Sequence, residues 1–204
     1  MFIETNRNMS GCRPLTQDEV DTLREYWNTA PHHKHLARDK LFVYLSLHTG
    51  WRCSEVIQIK VSDVYDPIRK RILDRVNVSK NFVKGKTAGK SSPLTPDIKQ
   101  LIDHYILHYK PAMYLFESPQ GGHIGYRQAL RICHKHFEGA NLDPSNLSTH
   151  TYRKTFADRV YKALDHDLIA LQHAMAHKSV SSTSSYIRVD KEKVEGALKN
   201  LSFV

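Results

Sequence analysis

Basic and imidazole side chains gather around one tyrosine in residues 147–189. This stretch holds His150 and Arg153, then His177 and, nine residues later, Tyr186. A tyrosine oxygen can attack a phosphodiester, and the phosphotyrosyl bond that forms splits one difficult step into two easier ones. Guanidinium forks and imidazoles can hold the charge that builds on the non-bridging oxygens. The stretch therefore predicts phosphodiester chemistry, provided that a second arginine reaches it from elsewhere in the chain.

That second arginine is Arg52, in the segment Thr-Gly-Trp-Arg-Cys-Ser-Glu at residues 49–55. Together these motifs resemble the tyrosine recombinase (phage integrase) family. The family carries Thr-Gly-x-Arg-x-x-Glu near its start, His-x-x-Arg later, then Gly-His and a tyrosine nine residues beyond. The chain has these elements in the same order, at residues 49–55, 150–153, 176–177 and 186. Each motif alone is unspecific, but four of them in order are typical of the family.

The resemblance implies an α+β fold that is mostly α-helical, with a small antiparallel β-sheet or hairpin. It also implies a site-specific recombinase that cuts and rejoins double-stranded DNA through a 3′-phosphotyrosyl intermediate. Apart from a lysine, the residues that match the family's catalytic set are Arg52, His150, Arg153, His177 and Tyr186. Tyr186 would attack the phosphate while the others hold the transition state. Neither a metal nor a nucleotide cofactor is expected, because the phosphotyrosyl bond keeps the energy of the broken phosphodiester.

The catalytic lysine is expected in residues 64–94, where β-forming residues flank a turn at residues 84–90 that contains two glycines. In the family, a lysine on a β-hairpin between the two arginine motifs protonates the departing 5′ oxygen. Lys86 matches that position best, followed by Lys84 and then Lys90. The alternative is that all of these lysines are general phosphate contacts.

The chain departs from the family's pattern at three places near the motifs. Tyr152 stands where a leucine is usual, and Lys154 stands where a second histidine often follows the arginine. Neither change removes a charge that the mechanism needs, and Lys154 receives no catalytic role. Ala176 replaces the usual glycine before the histidine, which costs little in a turn of negative φ but produces strain in a left-handed one.

Glu55 is interpreted as a structural partner of Arg52, which lies at the start of a helix predicted for residues 54–59. The alternative is that Glu55 caps this helix and never touches Arg52. In both cases Glu55 is not a general base, because nearby cations depress the pKa of a carboxyl group.

Charge and composition favour a polyanionic partner. The 204 residues include 30 Lys and Arg against 21 Asp and Glu, a net charge of +9, and each phosphate that such cations neutralise adds affinity by releasing counterions. The alternative is a basic soluble protein with no such partner. Residues 126–137 predict an amphipathic helix that lies against DNA or is merely solvated. Its polar residues are Arg127, Arg131, Lys135 and His136.

Cysteines and histidines suggest neither a disulfide framework nor a metal site. Cys12, Cys53 and Cys133 are odd in number and far apart, which favours a reducing cytoplasm. His104 and His108 lie one helical turn apart without a third ligand nearby, and we expect them to face solvent. No apolar run approaches the roughly 20 residues of a membrane span.

Local signals place several helices. Thr16 and Glu19 form a capping-box pattern before the apolar positions Val20, Leu23 and Trp27. A buried helix over residues 41–47 is predicted to end at Gly50, and another helix begins at residues 95–97. In the helix after His150, we expect the apolar side chains to pack inward. These are Phe156, Val160 and Leu164.

The predicted organisation is an arm (residues 1–14), a catalytic domain (15–189) and a tail helix (190–204). In the family such a tail packs on a neighbouring subunit, so we expect a homo-oligomer, with a tetrameric synapse on DNA, or assembly with another tyrosine recombinase. Packing of the tail on its own subunit is the alternative. The helical DNA-clamping domain that precedes most family members has no counterpart here. The chain thus resembles the short fimbrial phase-switch recombinases, or is a piece of a longer protein.

Two other functions remain open from the sequence. The first is a non-cleaving DNA-binding accessory protein that assembles with a full-length recombinase. The absent clamp domain favours it, and the intact residue set argues against it. The second is a type IB topoisomerase-like enzyme, which uses a similar active site but must hold DNA as a monomer.

Overall fold

The structure, a computed structural model, describes residues 11–31, 35–83 and 88–176, together with the single residues Thr183, Glu195 and Lys199. Two compact units divide the chain between Phe156 and Ala157. The helices of the described part are α1 (Gln17–Thr29), α2 (Leu36–Thr49), α3 (Cys53–Val56), α4 (Pro96–Tyr109), α5 (Tyr126–Gly139), α6 (Thr149–Ala163) and α7 (Leu168–Ala174). The strands are β1 (Tyr65–Asp66), β2 (Arg71–Ile72), β3 (Arg75–Val78) and β4 (Lys90–Pro93).

The predicted capping box begins α1. The Thr16 hydroxyl accepts a hydrogen bond from the Glu19 backbone N–H at 3.2 Å, and the Glu19 carboxylate accepts one from the Thr16 N–H at 2.8 Å. Two of the amide groups that a helix start leaves without intrahelical partners are thereby satisfied. The helix buries Val20, Leu23 and Trp27, as predicted.

Helix α2 is buried along most of its length and ends at Gly50, as predicted. Gly50 has a φ of 60°, in the left-handed region, and its N–H bonds to the Ser46 carbonyl at 3.1 Å. A Cβ atom at this position would also lie 2.2 Å from the ring of Phe156. Both the backbone angle and the close approach of the ring therefore require glycine here.

Two antiparallel hairpins confirm the prediction of small β-elements. Strand β1 pairs with β2, and β3 pairs with β4 with Val78 opposite Lys90. Along β3 the valines Val76 and Val78 are buried and the residues between them are exposed. Lys84 and Lys86 lie in residues 84–87, outside the described residues.

Helices α4 and α5 each bury one face. His104 and His108 are exposed on α4, as predicted. On α5 the cations Arg127, Arg131 and Lys135 are exposed, but His136 is fully buried. The inclusion of His136 among the solvent-facing polar residues was therefore wrong. Its Nδ1 accepts a hydrogen bond from the indole N–H of Trp27 at 2.8 Å, so this ring belongs to the core.

Helix α6 contributes residues to both units. In the first unit it buries Thr151, Tyr152, Arg153 and Thr155, a mainly polar set. The apolar residues predicted to pack inward, Phe156, Val160 and Leu164, are only partly buried. The prediction that these three side chains pack inward is therefore only partly confirmed.

Apart from the single residues Thr183, Glu195 and Lys199, the described part of the second unit consists of the end of α6, helix α7 and the turn that follows. The Asp167 carboxylate caps α7 by accepting hydrogen bonds from the N–H groups of Ile169 and Ala170 at 2.8 and 2.9 Å. Leu171 and Met175 are buried. Within the described residues, none of the helices combines the length and apolar character that a membrane crossing requires.

Candidate active site

Arg52 lies immediately before helix α3 in extended backbone. The neighbouring Trp51 and Cys53 are buried and anchor the segment on both sides, while the Arg52 side chain stays 27% exposed. The helix covers Cys53–Val56 and is shorter than predicted, because residues 57 and 58 form a turn. An arginine held by buried neighbours, with its guanidinium partly open to solvent, can bind an anion that arrives from outside.

Glu55 caps α3 and also contacts the Arg52 side chain, so its interpretation as a structural partner of Arg52 is confirmed and the alternative of a cap that never touches Arg52 is wrong. Its Oε2 accepts the Arg52 backbone N–H at 2.8 Å, and its Oε1 lies 3.4 Å from Arg52 Nη1. The carboxylate is fully buried. A third contact comes from strand β4, where Lys90 Nζ lies 2.7 Å from Glu55 Oε2.

The charges of this cluster shift the pKa values of two of its members. Burial on its own raises the pKa of Glu55, but Lys90 and Arg52 outweigh it and hold that pKa below its usual range. For Lys90, burial lowers the pKa; Glu55 opposes the shift, and the charges of Arg153 and Arg52 add to it. The carboxylate is therefore ionised at neutral pH, and its lowered pKa makes it a weak base, in line with the interpretation of Glu55 as a structural residue.

Arg153 joins the cluster from helix α6. It is almost completely buried, and its Nη1 donates a hydrogen bond to the carbonyl of Gly50, two residues before Arg52. Its charge also contributes to the lowered pKa of Lys90. The structure thus brings together the two arginines of separate motifs, as the sequence predicted.

His150 occupies the first turn of α6, which begins with local side-chain caps. The Ser148 hydroxyl accepts the His150 N–H at 3.2 Å, and the Thr151 hydroxyl accepts the Ser148 N–H at 3.0 Å. Residues three apart on a helix are neighbours on its surface, so this start sets His150 beside Arg153. The imidazole is partly buried.

The cluster has a formal excess of positive charge. Arg52, Lys90 and Arg153 supply three positive charges, and Glu55 supplies one negative charge. Cations gathered around a single carboxylate on rigid elements form a preorganised site for an anion, because their mutual repulsion is relieved when the anion binds.

Comparison with known proteins identifies the family of the chain. The phage integrase family matches residues 13–193, which is most of the chain. The chain belongs to this family. The resemblance inferred from the motifs is therefore confirmed.

Relatives of known sequence are recombinases and integrases. The chain is 28% identical over 163 residues to a probable integrase/recombinase, YoeC, of Bacillus subtilis, covering 79% of this chain and 83% of that protein. It is 27% identical over 165 residues to the tyrosine recombinase XerC of Caldanaerobacter subterraneus, covering 79% of this chain but 44% of that protein. The chain spans about half the length of several such relatives, including 50% of XerD from Corynebacterium glutamicum.

Solved structures show the same fold. The XerH recombinase bound to its difH substrate gives a TM-score of 0.73 at 20% identity, covering 93% of this chain and 55% of that one. The catalytic domain of bacteriophage HP1 integrase gives 0.60 at 17% identity, covering 93% and 95%. The prediction of a mostly helical α+β catalytic-domain fold with a small antiparallel β-element is confirmed.

Half of the predicted catalytic set lies in the described residues. Arg52, His150 and Arg153 are placed as reported above. Lys86, His177 and Tyr186 lie outside the described residues, so their roles stay predictions.

The family-pattern departures have structural counterparts. Tyr152 is fully buried with its ring centroid 5.5 Å from that of Phe137, so it fills a core position. The Lys154 ammonium donates a hydrogen bond to the Cys12 carbonyl at 2.5 Å. Ala176 has a φ of 50°, which is the left-handed and strained alternative.

The sequence did not predict that Lys90 would be buried and paired with Glu55. Side chains directly opposite in an antiparallel pair share one face, so Lys90 follows Val78 into the interior. The alternation of apolar residues along β3 indicates which of its positions face inward. It does not indicate which β4 residue lies opposite each of them, because the long connection leaves the pairing register of the two strands undefined. As for metals, the described residues contain no group of three or more potential ligands.

Proposed function

We propose that this chain contains the catalytic domain of a site-specific DNA recombinase that works through a 3′-phosphotyrosyl intermediate. The observation that carries the proposal is that Arg52 and Arg153, from separate motifs, both lie close enough to the buried Lys90 for their charges to lower its pKa, with Arg153 bonded to the Gly50 carbonyl. Membership of the phage integrase family supports it. The accessory-protein and topoisomerase alternatives are not favoured, since the relatives are recombinases and integrases.

In the proposed reaction the Tyr186 oxygen attacks the scissile phosphorus, and the bond from phosphorus to the 5′ oxygen breaks. The products are a 3′-phosphotyrosyl bond and a 5′ hydroxyl. Because a tyrosine hydroxyl ordinarily has a pKa of about 10, nearby cations must ease the loss of its proton, which passes to water or to His177. Lys86 donates the proton that the 5′ oxygen requires. Attack by the 5′ hydroxyl of a partner strand reverses the step, so no nucleotide is consumed.

The described cations supply charge stabilisation in this reaction. Arg52 and Arg153 each present a fork of N–H donors to the oxygens of the pentavalent phosphorus, and His150 adds an imidazole donor. His177 is proposed to bond the same phosphate. Removing one such preorganised donor typically costs about 10²–10³ in rate.

Double-stranded DNA is the proposed substrate. The net charge of +9 and the exposed row Arg127, Arg131 and Lys135 on α5 suit a phosphate backbone. These three cations are spaced by four residues, so they lie along one side of the helix. The related XerH structure contains its difH DNA, and an integrase of transposon Tn1549 is bound to DNA of a circular intermediate.

Assembly and domain roles are also proposals. The catalytic domain covers residues 15–189, residues 1–14 form an arm, and residues 190–204 contact a neighbouring subunit. Strand exchange needs two cut duplexes held together, so a tetramer of this chain, or assembly with another tyrosine recombinase, would complete the reaction.

The test is a suicide-substrate assay. Wild type and Tyr186→Phe are incubated with nicked duplexes from the DNA that flanks the gene of this chain, after a gel shift has identified a bound sequence. Covalent adducts are then counted on a denaturing gel. An adduct with wild type alone is the expected result. Adducts with both proteins would identify another nucleophile, and specific binding without any adduct would favour the accessory protein.

A further inference from the structure

Lys90 and Glu55 form a buried ion pair to which the proposed reaction assigns no step. Their side chains are 4% and 0% exposed, and Lys90 is the one buried lysine among those that the structure describes. Taking both charges out of water costs several kcal/mol per ion, so a buried pair is weak evidence for stability alone. Its position beside Arg52 suggests a role in the site.

The two oxygens of Glu55 are divided between its partners. Oε2 accepts hydrogen bonds from Lys90 Nζ at 2.7 Å and from the Arg52 backbone at 2.8 Å, while Oε1 lies 3.4 Å from Arg52 Nη1. The lysine therefore holds the carboxylate closely, and the arginine guanidinium touches it only loosely. A carboxylate without the lysine would be a buried anion whose nearest cation is that guanidinium, and such groups form close bidentate pairs.

We propose that Lys90 is a positioning residue: by holding the Glu55 carboxylate, it keeps the guanidinium of Arg52 available to the scissile phosphate. The inference rests on the proposed function of the site. Lys90 is distinct from the acid, because its ammonium is engaged by a buried carboxylate and almost closed to solvent. The assignment of Lys86 as the proton donor is kept.

The first experiment measures the single-turnover rate of adduct formation at saturating nicked DNA. In Lys90→Met, Arg52 is drawn onto Glu55 and misplaced, and we expect a loss on the order of 10²-fold. The matched control is Lys99→Met, which removes a lysine–carboxylate pair of similar length, 2.6 Å to Asp74, at the protein surface. That control should cleave at the wild-type rate.

A substrate with sulfur in place of the bridging 5′ oxygen separates positioning from proton donation. A thiol is a far stronger acid than an alcohol, so the sulfur leaves without a proton. The sulfur substrate should restore cleavage by Lys86→Met and leave the loss in Lys90→Met unchanged. Restoration in Lys90→Met would make Lys90 the acid and overturn the inference.

Combination with Glu55→Gln tests whether Lys90 acts through the carboxylate. Glutamine removes the negative charge that Lys90 restrains, so adding Lys90→Met to Glu55→Gln should change the cleavage rate little. The inference is overturned if the double variant loses as much rate as the product of the two single-variant losses. It is also overturned if Lys90→Met alone cleaves at the wild-type rate. If Lys90→Met unfolds at a much lower temperature than wild type, Lys90→Gln is combined with Glu55→Gln instead. A cleavage rate more than about tenfold below that of Glu55→Gln alone would then overturn the inference.

Failure of this inference is distinguishable from failure of the proposed function. If wild type forms no adduct on a bound sequence, the recombinase proposal fails. If wild type forms one and Tyr186→Phe does not, the recombinase proposal stands, and the Lys90 variants then decide the positioning role by themselves.

Discussion

Replacement of Gly50 by alanine should weaken the fold and the candidate active site together. The residue has a φ of 60°, and a Cβ atom there would lie 2.2 Å from Phe156 Cδ1. A left-handed L-residue costs roughly 1–2 kcal/mol, and overpacking of a filled region adds about 1–3 kcal/mol. We therefore expect Gly50→Ala to lower the free energy of unfolding by roughly 2–5 kcal/mol. For a chain of this length that shift lowers Tm by roughly 4–20 °C.

The chain provides a matched control for the backbone part of this cost. Gly122 has a φ of 66°, and nothing lies within 4 Å of a Cβ atom built on it. Gly122→Ala should therefore lose only the roughly 1–2 kcal/mol of a left-handed alanine. Thermal melting followed by circular dichroism measures both variants. Equal Tm values for Gly50→Ala and Gly122→Ala would refute the contribution of the Phe156 ring.

Three further perturbations test the electrostatics and burial of the site. Arg153→Lys should lower the single-turnover rate of adduct formation by about 10²–10³, because an ammonium cannot serve both the Gly50 carbonyl and a phosphate. Glu55 has a lowered pKa, so its stabilising contribution is complete above about pH 4.3 and is lost as pH falls through its folded-state pKa. The difference in urea-unfolding free energy between wild type and Glu55→Gln should therefore shrink from pH 7 to pH 3. Burial raises the pKa of Cys53 to about 12 and also raises that of Cys133. In the native protein, an aromatic disulfide reagent should thus titrate Cys12 quickly and the other two thiols slowly.

Each of these expectations has a result that contradicts it. Arg24→Lys, in a surface pair with Asp21 on α1, is the control for Arg153→Lys and should keep the wild-type rate. Equal rates for Arg153→Lys and Arg24→Lys would show that Arg153 does not contribute to the site. A pH-independent difference for Glu55→Gln would mean that its carboxylate has an ordinary pKa in the folded protein. Fast titration of all three thiols would contradict the burial of Cys53 and Cys133.

Local chemistry made much of the helical framework predictable from the sequence. The box of Thr16 and Glu19 and the end of α2 at Gly50 follow from hydrogen-bonding capacity and backbone freedom, which are properties of a few adjacent residues. The spatial proximity of Arg52 and Arg153 was predictable only from the family resemblance, because no local sequence pattern connects two residues so far apart in the chain.

Long-range packing decided the features that the sequence did not predict. His136 has a polar side chain at a position that the fold buries against Trp27, and its hydrogen-bond partner comes from a helix 109 residues away in the chain. The inward direction of Lys90 depends on the register of β3 with β4, and a connection of several residues does not define a register. Such features depend on partners that local patterns do not specify.

The hydrogen bond between Arg153 and the Gly50 carbonyl has a consequence for the order of events in synthesis. It joins positions 103 residues apart, so the phosphate site cannot exist until most of the chain has been made and that long loop has closed. Under the proposed function, a nascent or partly folded chain already has the basic segments that attract DNA, but it lacks the adjacent arginines that cleavage requires. In the proposed reaction, cleavage is thereby restricted to molecules that have finished folding.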